Sequence, residues 1–207
     1  MPVDYSLYLV SDRSMLKGRN LFQAVEEAIK GGVTLVQLRE KNISSLDFYN
    51  IALKMKELVN HYHVPLIIND RLDIALAVDA DGLHIGQEDL PLKIARKLLG
   101  PGKILGYSVA NRGQALFGER NGADYLGAGT VFPTGSKADT GEPIGTGNLQ
   151  KIKQAVSIPV VGIGGIGISN LAEVKATEID GISLISAILG SNDVEAASRK
   201  LINLWRK

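Results

Sequence analysis

The stretch Thr34-Leu35-Val36-Gln37-Leu38-Arg39-Glu40-Lys41 joins an apolar run to a charged end. The apolar residues favour a strand, and the alternation of an extended chain places Gln37, Arg39 and Lys41 on one face. Leu38 falls on the opposite face. An arginine fork, a lysine point charge and an amide at the end of a strand form an anion receptor suited to a phosphorylated ligand. A solvated edge strand is the alternative for this stretch taken alone.

Similar β-rich runs recur along the chain at intervals that leave room for helices. The candidate strands are Leu7–Val10, Thr34–Leu38, Leu66–Asn69, Gly82–Ile85, Ile104–Ser108, Tyr125–Ala128, Val160–Gly162 and Ile182–Ile185. Helical patterns lie between them, one closed by Gly31-Gly32, one opened by Ser44 with Asp47 as a capping box, and the last at Val194–Trp205. Eightfold strand-helix alternation predicts a single-domain α/β fold, a (β/α)₈ TIM barrel over residues 1–207, in preference to an open doubly wound sheet.

The carboxyl ends of barrel strands and the loops after them form the active-site face of such folds. Polar residues follow nearly every candidate strand, namely Ser11-Asp12-Arg13, Gln37 with Arg39 and Lys41, Asn69-Asp70, Gly86–Asp89, Ser108, Gly129–Lys137, Gly164-Gly165 and Ser186. The connection Phe132–Thr146 is unusually long and rich in Gly, Pro, Ser and Thr, which suits a mobile lid. A disordered surface loop is the alternative.

Composition narrows the classes of function. The 23 basic and 22 acidic residues are nearly balanced, which argues against a nucleic-acid or membrane-surface binder and favours small-molecule partners. With neither a long apolar run nor a leader pattern, we expect a soluble, unexported, cytoplasmic chain. The absence of cysteine excludes a disulfide framework, a thiolate nucleophile and a sulfur-based zinc site. The sequence leaves the oligomeric state open, and a homo-oligomer is compatible with it.

Two carboxylates follow neighbouring strands. Asn69-Asp70 closes one strand, and Asp89 follows the next in Gly86–Asp89. Mg²⁺ prefers oxygen ligands and is often held by one or two carboxylates plus substrate phosphates, so Asp70 and Asp89 are candidate metal ligands. The alternative is that each caps a helix, Asp89 because Pro91 suits a first helical position.

Charge balance favours the metal interpretation. A diphosphate ester carries about three negative charges near neutral pH. Arg39, Lys41 and Lys137 together with one Mg²⁺ would supply five positive charges. Asp70, Asp89 and the ligand would supply about five negative ones. Without the metal, two carboxylates would repel the polyanion.

A second anion site is predicted after the seventh strand. The glycines of Gly162-Ile163-Gly164-Gly165-Ile166 allow backbone N–H groups to approach phosphate oxygens closely. Ile185-Ser186, after the eighth strand, completes the phosphate cup that many barrels build there. A tight turn is the alternative for the double glycine. Two anion sites predict two phosphorylated ligands.

Histidine and serine residues do not indicate covalent catalysis. His84 lies inside the fourth candidate strand, where we expect a packed, hydrogen-bonded residue rather than a catalytic one. His61 and His63 flank Tyr62 after a helix and are expected at the surface. No Ser-His-Asp set appears at strand ends, which disfavours hydrolysis through a covalent intermediate.

These motifs together resemble the thiamine-phosphate synthase family over nearly the whole chain. The resemblance is carried by Leu7–Val10, Gln37–Lys41, Ile68–Arg71, Asp81–Pro91, Gly106–Ser108, Gly122–Lys137, Ile163–Ile166 with Asn170, and Ser183–Ile188. It implies a Mg²⁺-dependent (β/α)₈ enzyme that joins a hydroxymethylpyrimidine diphosphate to a phosphorylated hydroxyethylthiazole and releases diphosphate. The chain departs from the family pattern at Gly129-Thr130, where Gly-Pro is common, and at Ser136, where Thr is usual.

The resemblance also implies roles for individual residues. Those implied to bind the pyrimidine diphosphate are Gln37, Leu38, Arg39, Glu40, Lys41, Asn69, Ser108 and Lys137, with Arg39, Lys137 and Ser108 as the catalytic set. Those implied to face the thiazole phosphate are Thr134, Gly135, Ser136, Gly165, Ile185 and Ser186. Asp70 and Asp89 would bind the metal.

The family chemistry is dissociative. Diphosphate leaves, a pyrimidine methylene cation forms, and the thiazole nitrogen attacks it, so no general base is required. Two alternatives remain at this stage: a thiazole tautomerase, which would need an acid/base residue and no diphosphate site, and a non-catalytic barrel that senses thiamine phosphate. The joint occurrence of the two aspartates with Arg39 and Lys137 speaks against both.

Overall fold

Eight parallel strands close into a barrel in which each strand pairs with its neighbours in chain order, and the eighth pairs with the first. The computed structural model of the chain describes residues 2–135 and 142–207. The strands are β1 (Leu7–Val10), β2 (Leu35–Leu38), β3 (Leu66–Asn69), β4 (Gly82–Ile85), β5 (Ile104–Val109), β6 (Tyr125–Gly129), β7 (Val160–Ile163) and β8 (Gly181–Leu184). The predicted TIM barrel is confirmed, and each strand boundary that differs from the prediction is displaced by one residue.

Helices in the described residues follow the strands and cover the outside of the barrel. They are α1 (Leu21–Lys30), α2 (Ser45–His61), α3 (Leu72–Ala77), α4 (Leu92–Leu99), α5 (Arg112–Arg120), α6 (Gly145–Ala155), α7 (Leu171–Lys175), α8 (Ser186–Leu189) and α9 (Val194–Arg206), with a 3₁₀ turn at Arg13–Leu16. The predicted cap of α2 is confirmed, because Ser44 Oγ accepts the Asp47 N–H at 3.1 Å. In residues 2–135 and 142–207, no helix combines the length and apolar content needed to cross a membrane.

Alternation along the strands separates two cores. Leu9 and Leu38 point outward and pack against the helices in the larger apolar cluster, which we term the outer core. Tyr8 and Tyr125 point inward and belong to a smaller cluster within the barrel, the inner core. Gln37, between Leu38 and Val36 on β2, is buried and hydrogen-bonded to Tyr8, so it also faces the interior.

The amino-terminal rim of the barrel is held by a repeated contact that we term the rim clamp. The side chain just before each even-numbered strand accepts a backbone N–H at the start of the preceding strand. The pairs are Thr34 Oγ1 with Leu7 N at 3.1 Å, Asp81 Oδ2 with Leu66 N at 2.8 Å, Asp124 Oδ2 with Leu105 N at 2.7 Å and Asp180 Oδ2 with Val160 N at 2.7 Å. Each clamp satisfies a donor that lies below its sheet ladder.

In each of the three aspartate clamps, a basic side chain from the helix before the odd-numbered strand pairs with the carboxylate. Lys56 of α2 lies 2.7 Å from Asp81, and Lys153 of α6 lies 2.6 Å from Asp180. Arg96 of α4 pairs with Asp124 in the same way. Each of these clamps therefore connects one helix and two strands at the amino-terminal face, which in TIM barrels contributes to stability rather than to catalysis.

We expect Asp180→Ala to lower the free energy of unfolding by roughly 1.5–3 kcal/mol, because the buried Val160 N–H loses a charged acceptor. Asp73→Ala is the matched control, since Asp73 forms an exposed ion pair with Arg71 that contributes no more than about 1 kcal/mol. Urea denaturation of both variants measures the difference. Equal losses would show that the clamp acts only as a surface ion pair.

Candidate functional site

Two cavities meet at the carboxyl end of the barrel. The inner pocket is lined by Tyr8, Gln37, His84, Ser108, Gly127, Val161, Ile163 and Ser183. The outer pocket is lined by Thr130, Thr134, Ile163, Gly164, Gly165, Ile166, Ser183, Leu184, Ile185 and Ser186. Ile163 and Ser183 line both, so the two cavities share a wall.

The outer pocket gathers four of the residues predicted for the phosphate cup. Thr134, Gly165, Ile185 and Ser186 all line it, brought together by the segments after β6, β7 and β8. Gly135 is described as exposed and is not part of the lining. Ser136 and Lys137, within the expected lid at Phe132–Thr146, lie outside the described residues.

Position 165 must be glycine because of the adjacent segment after β6 as well as for the approach of a ligand. Its φ of +66° lies in the left-handed region, and a Cβ there would come within 2.7 Å of both Phe132 Cβ and Pro133 O. Asn170 fixes the turn, since its Nδ2 donates to Gly165 O at 2.9 Å and its Oδ1 accepts Gly167 N–H at 2.8 Å. The sequence indicated only that a glycine lets a phosphate approach. In the structure, the segment after β6 also leaves no room for a side chain at position 165.

A chain of four hydrogen bonds crosses the inner pocket. Gln37 Nε2 donates to Tyr8 OH at 2.6 Å, and the Tyr8 and Tyr125 hydroxyls lie 2.8 Å apart. Tyr125 OH lies 2.8 Å from His84 Nδ1, and His84 Nε2 lies 2.9 Å from Ser108 Oγ. We term this arrangement the polar chain. It confirms that His84 is a packed, hydrogen-bonded barrel residue.

Both tyrosines of the polar chain are uncharged at neutral pH. Burial raises the pKa of Tyr8 and raises that of Tyr125 well above its ordinary value. Each hydroxyl therefore carries one proton and can donate one hydrogen bond. Asn69 is also buried, in register with His84 on the adjacent strand, so the predicted Asn69 and Ser108 both lie at this mouth.

The predicted Arg39 and Lys41 lie on a charged rim above the pockets, and each already has a carboxylate partner. Arg39 Nη1 lies 3.2 Å from Asp12 Oδ2, and Lys41 Nζ lies 2.7 Å from Asp70 Oδ2. The rim also contains Glu40, whose side chain is 4% exposed and pairs with Arg13 at 2.7 Å. Glu40 is thus placed to hold Arg13 rather than to contact an anion.

Leu38 is placed away from the site. Its side chain is fully buried in the outer core, on the opposite face of β2 from Gln37. Side-chain contact with a ligand in either pocket is therefore excluded for Leu38, and only its backbone could take part.

Asp70 and Asp89 are close enough to influence each other. Burial, and then the neighbouring charge of Asp70, raise the pKa of Asp89, while the Gly86 N–H, 2.7 Å from Asp89 Oδ2, opposes the shift. Asp70 itself has a left-handed φ of +62°. The helix-cap alternative is wrong for both, because Arg71 and Pro91 occupy the N-cap positions of α3 and α4 and neither helix has a side-chain cap.

A divalent oxygen-ligated cation fits this pair. Over residues 2–135 and 142–207, no group of three or more His, Cys, Asp or Glu side chains converges as a metal site. Two facing carboxylates suffice for Mg²⁺ when a phosphorylated ligand and waters supply the other oxygens. Mutual repulsion between the carboxylates is the feature that a cation would relieve.

Sequence reasoning missed several residues that the structure brings into the site. Tyr8, Tyr125 and Ser183 lie inside predicted strands and were not singled out as site residues. Ser183 is 4% exposed, and its Oγ has no hydrogen-bond partner among the described residues. A polar residue at an inward-facing strand position, beside the predicted phosphate cup, was the available signal.

A closed parallel barrel with two adjoining pockets at the carboxyl ends of its strands and a charged rim is the architecture of a TIM-barrel enzyme. The sequence profile of the family described as thiamine monophosphate synthase matches residues 7–188. The chain belongs to the thiamine-phosphate synthase family, a family of transferases in thiamine biosynthesis.

Individual relatives agree with this assignment. The chain is 59% identical over 206 residues to a thiamine-phosphate synthase of Desulfitobacterium hafniense, covering 100% of both chains. It is 55% identical over 204 residues to that of Clostridium novyi, covering 99% of this chain and 100% of the relative.

Solved structures agree as well. Thiamine phosphate pyrophosphorylase from Pyrococcus furiosus superposes with a TM-score of 0.89 at 41% identity, covering 99% of this chain and 98% of the other. 3-Hexulose-6-phosphate synthase, at a TM-score of 0.72 and 16% identity over 96% of this chain and 98% of the other, shares the fold alone.

Ser183→Ala should leave the free energy of unfolding unchanged or raise it by about 1 kcal/mol, because the removed hydroxyl is buried without a protein partner. Thr177→Val is the comparison, since the Thr177 hydroxyl is buried but donates to Val174 O at 2.6 Å, and its loss should destabilise. Guanidinium denaturation measures both. A destabilisation of Ser183→Ala as large as that of Thr177→Val would show that Ser183 has a structural partner.

Proposed function

We propose that the chain condenses a pyrimidine methyl diphosphate with a thiazole ethyl phosphate to give thiamine phosphate and diphosphate, with Mg²⁺. The observation that carries the proposal is the shared wall of the two pockets at Ile163 and Ser183, beneath the charged rim. Two ligands seated in these adjoining pockets would meet at the common border, and close approach of the reacting atoms is the main requirement of a bimolecular condensation.

The outer pocket suits the thiazole phosphate. Thr134 and Ser186 offer hydroxyls, and the turn at Gly165 together with Ile185 offers backbone groups. Hydroxyl and backbone N–H donors are the usual partners of a phosphate after β7 and β8 of a TIM barrel. Gly135 and Ser136 are proposed to join them by resemblance to the family.

The inner pocket and charged rim suit the pyrimidine diphosphate. Gln37, Asn69 and Ser108 are proposed to meet the ring or its linking atoms at the barrel mouth, where all three are buried or partly buried. Arg39 and Lys41 are proposed to bind the diphosphate, together with Lys137. Glu40 supports this rim through Arg13, and Leu38 supports it from the outer core.

Ser183 is proposed as a further ligand contact. A buried hydroxyl without a partner is unfavourable unless a ligand supplies one. Its place in the shared wall puts it next to both proposed substrates.

Charge on the rim explains why a cation would be needed. The rim contains four carboxylates, Asp12, Glu40, Asp70 and Asp89, against three cations, Arg13, Arg39 and Lys41. The count from sequence omitted Asp12, Arg13 and Glu40, and the described rim has an excess of one negative charge. A diphosphate with about three negative charges would be repelled by this rim alone.

Asp70 and Asp89 are proposed to hold the Mg²⁺. The bound ion would neutralise the diphosphate and stabilise its departure as a leaving group. Lys41 lies beside Asp70, so its ammonium is placed at the edge of the same anion site. Lys137 would add a further positive charge.

The chemistry requires no general base from the chain. The residues bind both substrates, align the thiazole nitrogen with the pyrimidine methylene, and exclude water from the cationic carbon. The apolar part of the shared wall, Ile163, offers no nucleophile to that carbon. Arg39, Lys137 and Ser108 would stabilise the growing negative charge on the diphosphate. We place this activity in the cytoplasm, with small molecules as partners and neither nucleic acid nor membrane involved.

Mixing both substrates with Mg²⁺ should release diphosphate, and either substrate alone should not. A tautomerase would release none, and a sensor would bind thiamine phosphate without turnover.

Asp89→Asn should abolish Mg²⁺-dependent turnover while the melting temperature stays equal or rises, because carboxylate repulsion is relieved. Wild-type turnover in chelator, or a Mg²⁺ titration of Asp89→Asn that matches wild type, would contradict the metal assignment.

Lys137→Ala should lower the single-turnover rate about a hundredfold with a smaller change in KM, because charge on the leaving diphosphate grows in the transition state. Lys151→Ala, at an exposed lysine of α6, is the matched control and should be silent. Rapid-quench measurements with both substrates bound separate chemistry from product release. A wild-type rate in Lys137→Ala would refute the role.

A further inference from the structure

We propose that Tyr8 and Tyr125 are positioning residues that give the polar chain a single direction, from Gln37 to Ser108, and so make the Ser108 hydroxyl a donor toward the inner pocket. The identity of the ligand that receives this donor rests on the proposed function. The direction of the chain does not, because it follows from the Gln37 amide, which donates to Tyr8 OH, and from the single proton on each buried hydroxyl.

The direction is set at Tyr8. Its hydroxyl accepts from Gln37 Nε2 at 2.6 Å and lies 2.8 Å from Tyr125 OH. Tyr8 is buried, and within the described residues these are its hydroxyl partners. The Tyr8 O–H must therefore donate its hydrogen bond to Tyr125 OH, because a buried O–H without an acceptor is costly.

Tyr125 is constrained in the same way. It is fully buried and its hydroxyl oxygen accepts the hydrogen bond from Tyr8 OH, so its own O–H donates to His84 Nδ1 at 2.8 Å. His84 Nδ1 is then an acceptor, and the neutral ring carries its proton on Nε2. His84 Nε2–H donates to Ser108 Oγ at 2.9 Å. The tautomer of His84 is thus fixed by two tyrosines, neither of which is hydrogen-bonded to Ser108.

Ser108 is the outlet of the chain. Its oxygen accepts from His84, so its proton points to an acceptor in the inner pocket, of which Ser108 is part of the lining. The opposite direction would begin with a Gln37 carbonyl toward Tyr8 and would present Ser108 lone pairs to the ligand. A diphosphate oxygen favours the first arrangement and is repelled by the second. Hydrogen bonds that run in one direction also strengthen each other.

Packing makes the two tyrosines suitable for this task. The rings of Tyr125 and His84 lie 5.4 Å apart, and those of Tyr8 and Tyr125 lie 5.9 Å apart. Rings fixed in the inner core cannot swing their hydroxyls to other acceptors. The direction of the chain is therefore a property of the folded barrel before any ligand binds.

The first test is the tautomer of His84 in the unliganded protein. Long-range ¹H–¹⁵N correlation spectra of ¹⁵N-histidine-labelled enzyme distinguish a protonated ring nitrogen from an unprotonated one, and His84→Gln assigns the signals against His61 and His63. The expected result is a protonated Nε2 and an unprotonated Nδ1. The reverse pattern would overturn the proposal even if the enzyme makes thiamine phosphate.

The second test removes one hydroxyl. Tyr125→Phe should shift His84 toward a mixture of tautomers and lower the single-turnover rate about threefold to tenfold, the loss expected for one hydrogen bond of neutral groups. Tyr5→Phe is the matched control, since Tyr5 packs 5.0 Å from Tyr125 and its hydroxyl makes no hydrogen bond in the described part of the chain. Tyr8→Phe serves if Tyr125→Phe is poorly folded.

The third test asks whether Tyr125 acts through Ser108. In a Ser108→Ala background, Tyr125→Phe should have no further effect on the rate, because the outlet of the chain is already absent. Equal rate losses in both backgrounds would show that Tyr125 serves only packing. Failure of the proposed function would appear separately, as no diphosphate release from wild type.

Discussion

The closed parallel sheet imposes the constraint on which the rest of the structure depends. Closure pairs the strands laterally, but the N–H groups where strands begin still need acceptors. The rim clamps supply them from Thr34, Asp81, Asp124 and Asp180, one for every second strand. Because each aspartate also holds a helix, the strand spacing on the amino-terminal face is fixed by charged contacts. The loops on the opposite face are then free to carry chemistry.

Polar groups inside such a barrel are acceptable only when they are satisfied. The inner core places five hydrogen-bonding side chains in a single chain, and apolar residues such as Leu35 and Val161 surround it. On the proposed assignment, this arrangement would keep the side chains that meet the pyrimidine ring in fixed positions. Ser183 is the exception within the described residues, and its position in the shared wall suggests that a ligand completes the set.

The sequence predicted the barrel, the strand ends and four residues that line the outer pocket, because hydrophobic alternation and glycine placement are local signals. It did not predict the partners of Arg39 and Lys41. Ion pairs such as Arg39 with Asp12 join different strands, and they depend on strand register that no local pattern specifies. The role of Tyr125 was hidden for the same reason, since a tyrosine in a strand is usually core. The helix-cap interpretation of Asp70 and Asp89 failed because Arg71 and Pro91 occupy the N-cap positions and the aspartates lie before them.

The shared wall of the two pockets has a consequence for the order of events in a catalytic cycle. On the proposed assignment, a bond formed where the two pockets adjoin, beside Ile163 and Ser183, turns two separately bound substrates into one molecule that occupies both cavities. Such a molecule gains the avidity of a linked ligand, because each half raises the local concentration of the other. Thiamine phosphate would then compete with both substrates at once and leave slowly. On this assignment, tight binding of the product in both pockets would make product release, rather than bond formation, the step that limits turnover.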